Sequence, residues 1–356
     1  MRRITSFFVI LFVLGTASLA LTSGIELTSS DRLAMLYSPQ LQFSVEGDPM
    51  IKIGIVEAQS EITFRPSEPI RVLPLGEGGP EVELPGNTNY TVTLIEGNPG
   101  VYRYWAIVGR FLPTERTAMR ASRSDWQALG YAPHNFSLGS FFAVRGNTFD
   151  NRVTVLGVGG FESRSEARAL ANQLELEYGI PADLHVELVE FPSGQLVLSA
   201  DRYPIRVNHH DLIWVTASEG TVFEVDGESF STNPEPGNGS DREYVGSLVF
   251  TLDSDGKLAL VNELSTERLL EGILPAEIYA SAPLEALKAQ AVAARGELLA
   301  DLGVRYLADP YMTFADQRCQ VYHGTGAEDH RTSRAVAETR GVVLLNETHI
   351  ARAVYS

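Results

Sequence analysis

The chain has 356 residues, 44% apolar and 21% charged. That length holds about two or three domains, and the composition excludes collagen-like, disordered and multi-span membrane chains. A single cysteine, Cys319, excludes an internal disulfide framework. With 28 basic against 45 acidic residues the formal charge is −17, which argues against a nucleic-acid partner.

Arg2-Arg3, an apolar run over residues 7–14 and the small-residue exit Ala17-Ser18-Leu19-Ala20 predict a signal peptide over residues 1–20. The protein is therefore expected to be exported, to a periplasm or a cell surface. Residues 4–21 approach the length of one membrane span, about 20 residues. An uncleaved anchor is thus the alternative, and the only expected contact with a membrane.

Residues 21–49 carry no strong periodicity and read as a lead-in. From residue 50 to 98 the pattern is β-rich: Ile51, Ile53 and Ile55 alternate with Lys52 and Gly54, and Ile62-Thr63-Phe64 and Ile70-Arg71-Val72-Leu73 follow turn residues. Residues 99–192 form a different unit. Strands are predicted at 102–111, 136–144, 152–158 and 184–191, and a helix at 115–129. A second helix starts at the capping-box pair Ser163 and Glu166 and stops at Gly179. That βαββαβ order is ferredoxin-like. Residues 193–260 return to short strands, at 196–198, 205–207, 212–216, 222–225 and 248–252, around a polar loop at 232–242. The fold class is α+β.

The chemistry concentrates after residue 262. A helix is predicted from Pro283 to about Leu302, with Leu284, Leu287, Ala291, Ala294 and Leu298 on one stripe. Ala286, Ala289, Val292 and Ala293 make it apolar nearly all round, so it is expected to be buried. Lys288, Gln290 and Arg295 on such a helix need partners, because an unpaired buried charge costs several kcal/mol. Two accounts stay open: a structural ion pair with Glu285 or Glu277, or a polar pocket in which Arg295 and Glu277 face a ligand.

The segment Leu274-Pro275-Ala276-Glu277-Ile278, followed by residues 283–295 (PLEALKAQAVAAR), closely resembles the core signature of the stage II sporulation protein D family, which includes the amidase enhancers. Residues 316–324 (DQRCQVYHG) are similar to its second signature, and Arg334-Ala335-Val336, Thr339, Gly341 and Tyr355-Ser356 to its third. The resemblance implies a SpoIID-like domain over residues 193–356, with its N-terminal β part at 50–98 and its site carried by the buried helix. Val158-Gly159-Gly160-Phe161 running into Ser163–Glu166 gives residues 99–192 a resemblance to a SPOR domain, which implies binding to denuded glycan strands; a generic ferredoxin-like module is the alternative.

The family resemblance implies a lytic transglycosylase acting on peptidoglycan glycan strands. Glu277 stands at the catalytic glutamate position and Arg295 at the essential arginine. One carboxyl can first protonate the glycosidic oxygen and then, as carboxylate, deprotonate the muramic 6-hydroxyl. The second carboxylate of ordinary glycosidases is then dispensable. Lys288, Gln290, Gln320 and Tyr322 are candidate substrate-binding residues, Tyr322 with a core role as alternative. The other functional class is a non-catalytic, glycan-binding activator of a cell-wall amidase.

No cofactor is expected. Some relatives bind zinc near the equivalent cysteine, and Cys319 and His323 are candidate ligands here, but two donors fall short of the four of a structural site. Two departures stand out. Gly296-Glu297 replaces the Thr-Tyr common after the arginine, and the family continues past Tyr355-Ser356, so the chain is expected to be truncated.

Overall fold

The computed structural model describes residues 29–73, 81–144, 146–227, 240–316, 319–346, 349–351 and 353. The expected signal peptide, most of the 232–242 loop, Gln317-Arg318 and Tyr355-Ser356 lie outside them. The fold is α+β, as its sequence predicts.

Two large sheets and three helices share one core. The first sheet has seven strands in the order Thr313–Phe314, Met50–Gln59, Leu258–Ser265, Ser247–Leu252, Leu212–Ala217, Ile70–Val72 and Val82–Leu84. Its strands alternate as a pleated chain must. Ile213, Val215, Leu248, Phe250 and Leu260 face the second sheet, whereas Leu212, Trp214, Val249 and Val261 face a separate cluster on the far side. The second sheet has six strands, ordered Arg206–His210, Ser193–Ala200, Tyr90–Asn98, Glu61–Pro66, Phe223–Val225 and Arg242–Tyr244. Strand Leu258–Ser265 is buried almost throughout, so period-two polarity gives no signal for it beyond residue 260.

The lead-in contains a helix, α1 (Ser29–Leu36), that its sequence does not announce. Among its described side chains Leu33 and Leu36 are in the far-side cluster, too few to print a stripe. Its end is fixed from outside: Lys52 Nζ donates to Met35 O at 2.8 Å and Leu36 O at 2.6 Å. Lys52 sits opposite Glu263 in the sheet. Burial pulls the Lys52 ammonium down to about 8 and pushes the Glu263 carboxyl up to about 7.

Residues 101–190 form a four-stranded antiparallel sheet ordered Leu184–Glu190, Val101–Phe111, Val153–Phe161, His134–Leu138. Helices α2 (Arg116–Ala128) and α3 (Arg164–Tyr178) cover one face through Trp126, Ala171 and Leu174. This is the βαββαβ order expected, with two local differences. The predicted 136–144 strand breaks at Gly139, whose φ of +77° turns the chain out of the sheet, so that Phe141–Val144 pairs with Asn147–Asp150 instead. Ser163 does stand at the N-cap of α3, but its Oγ bonds Ser165 Oγ at 2.7 Å, so the side-chain half of the capping box is not made. Gly179 closes α3 in the left-handed conformation as expected.

Helices α4 (Thr266–Glu277), α5 (Leu284–Asp301) and α6 (His330–Glu338) pack against the large core. α4 lies where the sequence reading placed only an approach to a helix. Leu269, Leu270, Ile273 and Leu274 recur at helical spacing and are buried, and Pro275 stands in the final turn, where it supplies no N–H to the residue 271 carbonyl. The predicted stripe of α5 is in the core at Leu287, Ala291, Ala294 and Leu298. The helix is not buried all round, however: Ala286 and Ala289 face solvent in its N-terminal half.

Packing around α4 tests this arrangement. A Cβ at Gly272 would lie 2.6 Å from the Tyr322 ring and 2.8 Å from Gly324 O. Gly→Ala inside a helix ordinarily gains stability; Gly272→Ala is expected instead to lose about 1–3 kcal/mol by overpacking, measured as a lowered urea midpoint.

Candidate functional site

Helix α4 carries two glutamates at opposite ends. Ser265 caps its start, its Oγ accepting from the Arg268 N–H at 3.3 Å. Glu267 lies in the first turn and Glu277 is the last helical residue. Ten residues at 1.5 Å each separate them by about 15 Å along the axis.

Arg295 joins the first of these ends. Its side chain is 1% exposed, and it donates through Nε to Glu267 Oε1 at 2.8 Å and through Nη2 to Glu267 Oε2 at 2.7 Å. Nη1 donates to Val342 O at 3.0 Å, Nη2 reaches Val336 O at 3.4 Å, and the Gly341 N–H donates to Glu267 Oε1 at 3.1 Å. One bidentate pair thus ties α4, α5, α6 and the turn after α6. Neither partner named from the sequence, Glu285 or Glu277, takes this place. Glu267 lies 28 residues before Arg295, and no helical spacing could have signalled it.

Glu277 occupies the other end. It is half-buried, and the backbone N–H of Val321 hydrogen-bonds its carboxyl. Burial outweighs that bond and raises the carboxyl above its ordinary 4.5. The negative end of the α4 dipole acts in the same direction. Two residues on in the chain, Tyr279 is 87% exposed, an aromatic side chain that sequence reading did not single out. The link from α4 to α5 is held by Arg331 of α6, which donates to Ala280 O at 2.6 Å and Ala282 O at 2.9 Å.

Residues 319–324 run as a strap past these helices. The Cys319 thiol shares a 3.1 Å hydrogen bond with the Tyr306 hydroxyl. Gln320 is buried and donates through Nε2 to Ala294 O at 3.3 Å. Val321 meets Glu277. Tyr322, offered from sequence as a groove residue or a core residue, is core: it is 1% exposed, bonds Asn262 Oδ1 at 3.3 Å and packs on Tyr244. Its neighbour Gly272 leaves the space for that ring.

Lys288 bridges Glu285 at 3.0 Å and Glu338 at 2.6 Å, linking α5 to α6. Gln290 is half-buried, and its buried Nε2 has no hydrogen-bond partner among the described residues. The structure thus brings the strap to Glu277, turns Arg295 toward a buried carboxylate and engages Lys288 with two surface ones. Among the described residues no three His, Cys, Asp or Glu side chains group as metal ligands. No helix of the described residues is long and apolar enough to cross a membrane.

Comparison with known proteins bears on this region. Residues 254–345 match the family model described as SpoIID, Stage II sporulation protein. An uncharacterized protein of Brachyspira hyodysenteriae is 36% identical over 122 residues, which cover 34% of this chain and 31% of that protein. The match thus spans about a third of the relative's length. No solved structure matches.

The ion pair makes a sharp prediction. Glu267→Ala strands a buried guanidinium and is expected to cost about 3–5 kcal/mol, whereas joint replacement by Glu267→Leu and Arg295→Met recovers most of that loss. Urea denaturation of the two variants beside the unaltered chain checks it.

Proposed function

Because residues 254–345 match the SpoIID family model, we propose that the protein works on the cell wall outside the cytoplasmic membrane, as a lytic transglycosylase of denuded peptidoglycan strands. The observation that carries this reading is Glu277: one carboxyl, raised by burial, at the surface end of α4 beside an exposed tyrosine. A raised carboxyl keeps its proton nearer neutrality and can deliver it to a glycosidic oxygen. The resulting carboxylate, hydrogen-bonded by the Val321 N–H, then takes the proton of the muramic 6-hydroxyl as that oxygen closes on C1. Substrate supplies the nucleophile, so a second carboxylate is not needed. Tyr279 offers a ring face on which a sugar can stack. Arg295 is a positioning residue in this reading, because it is spent on Glu267 about 15 Å along the helix.

That same placement of Arg295 favours a second reading. With Arg295 engaged by Glu267, the surface can serve to hold glycan while a partner amidase cuts the peptide. Such an activator would leave purified glycan chemically intact and raise amidase turnover. Mass spectrometry of denuded strands separates the two, since the enzyme yields 1,6-anhydromuramic ends.

For the enzyme, Glu277→Gln is expected to lower kcat by about 10²–10⁴-fold without unfolding the chain. The first step needs the protonated acid, so kcat/KM should fall as pH rises through the Glu277 value, and that limb should lie above 4.5. Tyr279→Ala should raise KM about three- to ten-fold with little change in kcat; an unchanged KM would remove the stacking role.

A further inference from the structure

Charge is divided unevenly over this acidic chain. Residues 99–192 hold 9 arginines against 10 acidic residues, so that unit is close to neutral and the remainder carries −16 of the net −17. Three of those arginines, Arg116, Arg120 and Arg123, stand on α2. Steps of four and three residues place them within about 60° of one another round the helix, in a row about 10 Å long. All three are exposed, and none forms an ion pair with a described residue. The one carboxylate within the helix, Asp125, follows Arg116 by nine residues and so lies on the opposite side.

Neither helix stability nor packing accounts for the row. The positive end of a helix dipole disfavours cations, yet Arg116 and Arg120 occupy the first two turns of α2, which has no acid in its first turn and no side-chain cap. The helix meets its sheet through Trp126, which is buried on another side.

Exposed apolar side chains border the row. Leu112 precedes α2, Leu129 is its C-cap, and both are exposed. Beside that C-terminal end Tyr178 of α3 is also exposed, and it packs edge-on against Trp126 with ring centroids 5.3 Å apart. Guanidinium groups suit phosphate through paired hydrogen bonds. Leucine and tyrosine gain by entering the headgroup layer of a bilayer, whereas a soluble polyanion offers them no apolar surface. At 13 residues α2 is too short to cross a bilayer, so the contact is with its surface. The acidic remainder is repelled by an anionic surface, which leaves this face to turn toward one.

We infer that the outer face of α2 docks on an anionic phospholipid surface, with lipid phosphates on Arg116, Arg120 and Arg123, and Leu129 and Tyr178 in the headgroup layer. Glu175 and Glu177, exposed on α3 to either side of Leu176, mark where the face ends. The docking needs neither Glu277 nor cleavage, and it is a contact distinct from the one expected of an uncleaved anchor.

The test is sedimentation of the full chain with vesicles of phosphatidylcholine alone and of phosphatidylcholine mixed equally with phosphatidylglycerol. Apolar residues 7–14 are common to both arms, so the ratio between the vesicles reports the charged face. Partitioning is expected to be about a hundred-fold stronger on the anionic vesicles, at about five-fold per arginine, and to weaken as salt is added. The triple variant Arg116→Gln, Arg120→Gln and Arg123→Gln should lose most of that ratio with an unchanged thermal midpoint. Leu129→Ser should weaken anionic binding several-fold and leave its salt dependence in place. Anionic vesicles should also slow hydrogen exchange over residues 116–131 of the unaltered chain. A ratio near one for the unaltered chain, a triple variant that keeps its preference, or slowed exchange that spares α2 overturns the docking. A triple variant that converts a dimer to a monomer without vesicles, its lipid preference unchanged, overturns it too and assigns the row to the acidic surface of a second copy.

Discussion

The C-terminal half of the structure hangs on one buried ion pair. Arg295 and Glu267 would each be costly alone in the core, and together they are satisfied in two directions at once. The carboxylate takes both guanidinium nitrogens and the Gly341 N–H, while the guanidinium also reaches backbone carbonyls at positions 336 and 342. Four chain segments meet at that point. Such a node has one geometry that satisfies all its donors, so it fixes the relative rotation of α4, α5 and α6 more tightly than apolar contact alone. Arg340, next to the turn, extends the same fastening by pairing with the buried Asp48 at the other end of the chain.

How a unit of some 90 residues can sit inside this arrangement follows from one rung of the six-stranded sheet. Asn98 pairs with Ser193, and Gly97 with Gly194. The chain therefore leaves the sheet and returns to it at adjacent residues, and the strand pairing on either side continues as though nothing lay between. Glycine is needed there, since a Cβ on Gly97 would meet the Gly256 carbonyl oxygen at 2.0 Å. The unit does not swing free of the rest. Leu307 packs on Ile107, Leu138 and Val155 of its sheet, and Asn151 donates to the carbonyls at residues 299 and 302. Contact with the end of α5 gives the two units a defined junction, and a cleft of about 720 Å³ lies along it.

Local patterns were legible in the sequence and long-range pairings were not. Period-two alternation marked Ile51, Ile53 and Ile55, and helical spacing marked Leu287, Ala291, Ala294 and Leu298, because each such residue reports its own burial. The helix at 115–129 and the stop at Gly179 were equally local. What the sequence withheld was partnership across the fold. Nothing in spacing pairs Arg295 with Glu267, caps α1 with a lysine from the next strand, or seats Tyr322 on Gly272. Glu277 was visible as a residue but not as an environment. Its half-burial and the Val321 N–H depend on the strap at 319–324, and Tyr279 gains its meaning only from being exposed beside it.

The two ends of α4 then explain why one helix can hold both a fastening and, in the proposed function, a reactive group. At its start the helix presents unsatisfied N–H groups and favours a carboxylate, and there Glu267 is salt-bridged in the core. At its end the exposed carbonyls disfavour one, and there Glu277 is partly desolvated with the Val321 N–H against it. The same side-chain chemistry is thus divided by position on a single dipole into a group that must stay paired and a group inclined to hold its proton. Exchanging the roles would fail on both counts, since a proton-holding acid at residue 267 would release Arg295 and a paired one at residue 277 would have no proton to give. The scaffold requires the first carboxylate to be inaccessible, and acid–base chemistry requires the second to reach the surface. About 15 Å of helix between them lets one element meet both demands.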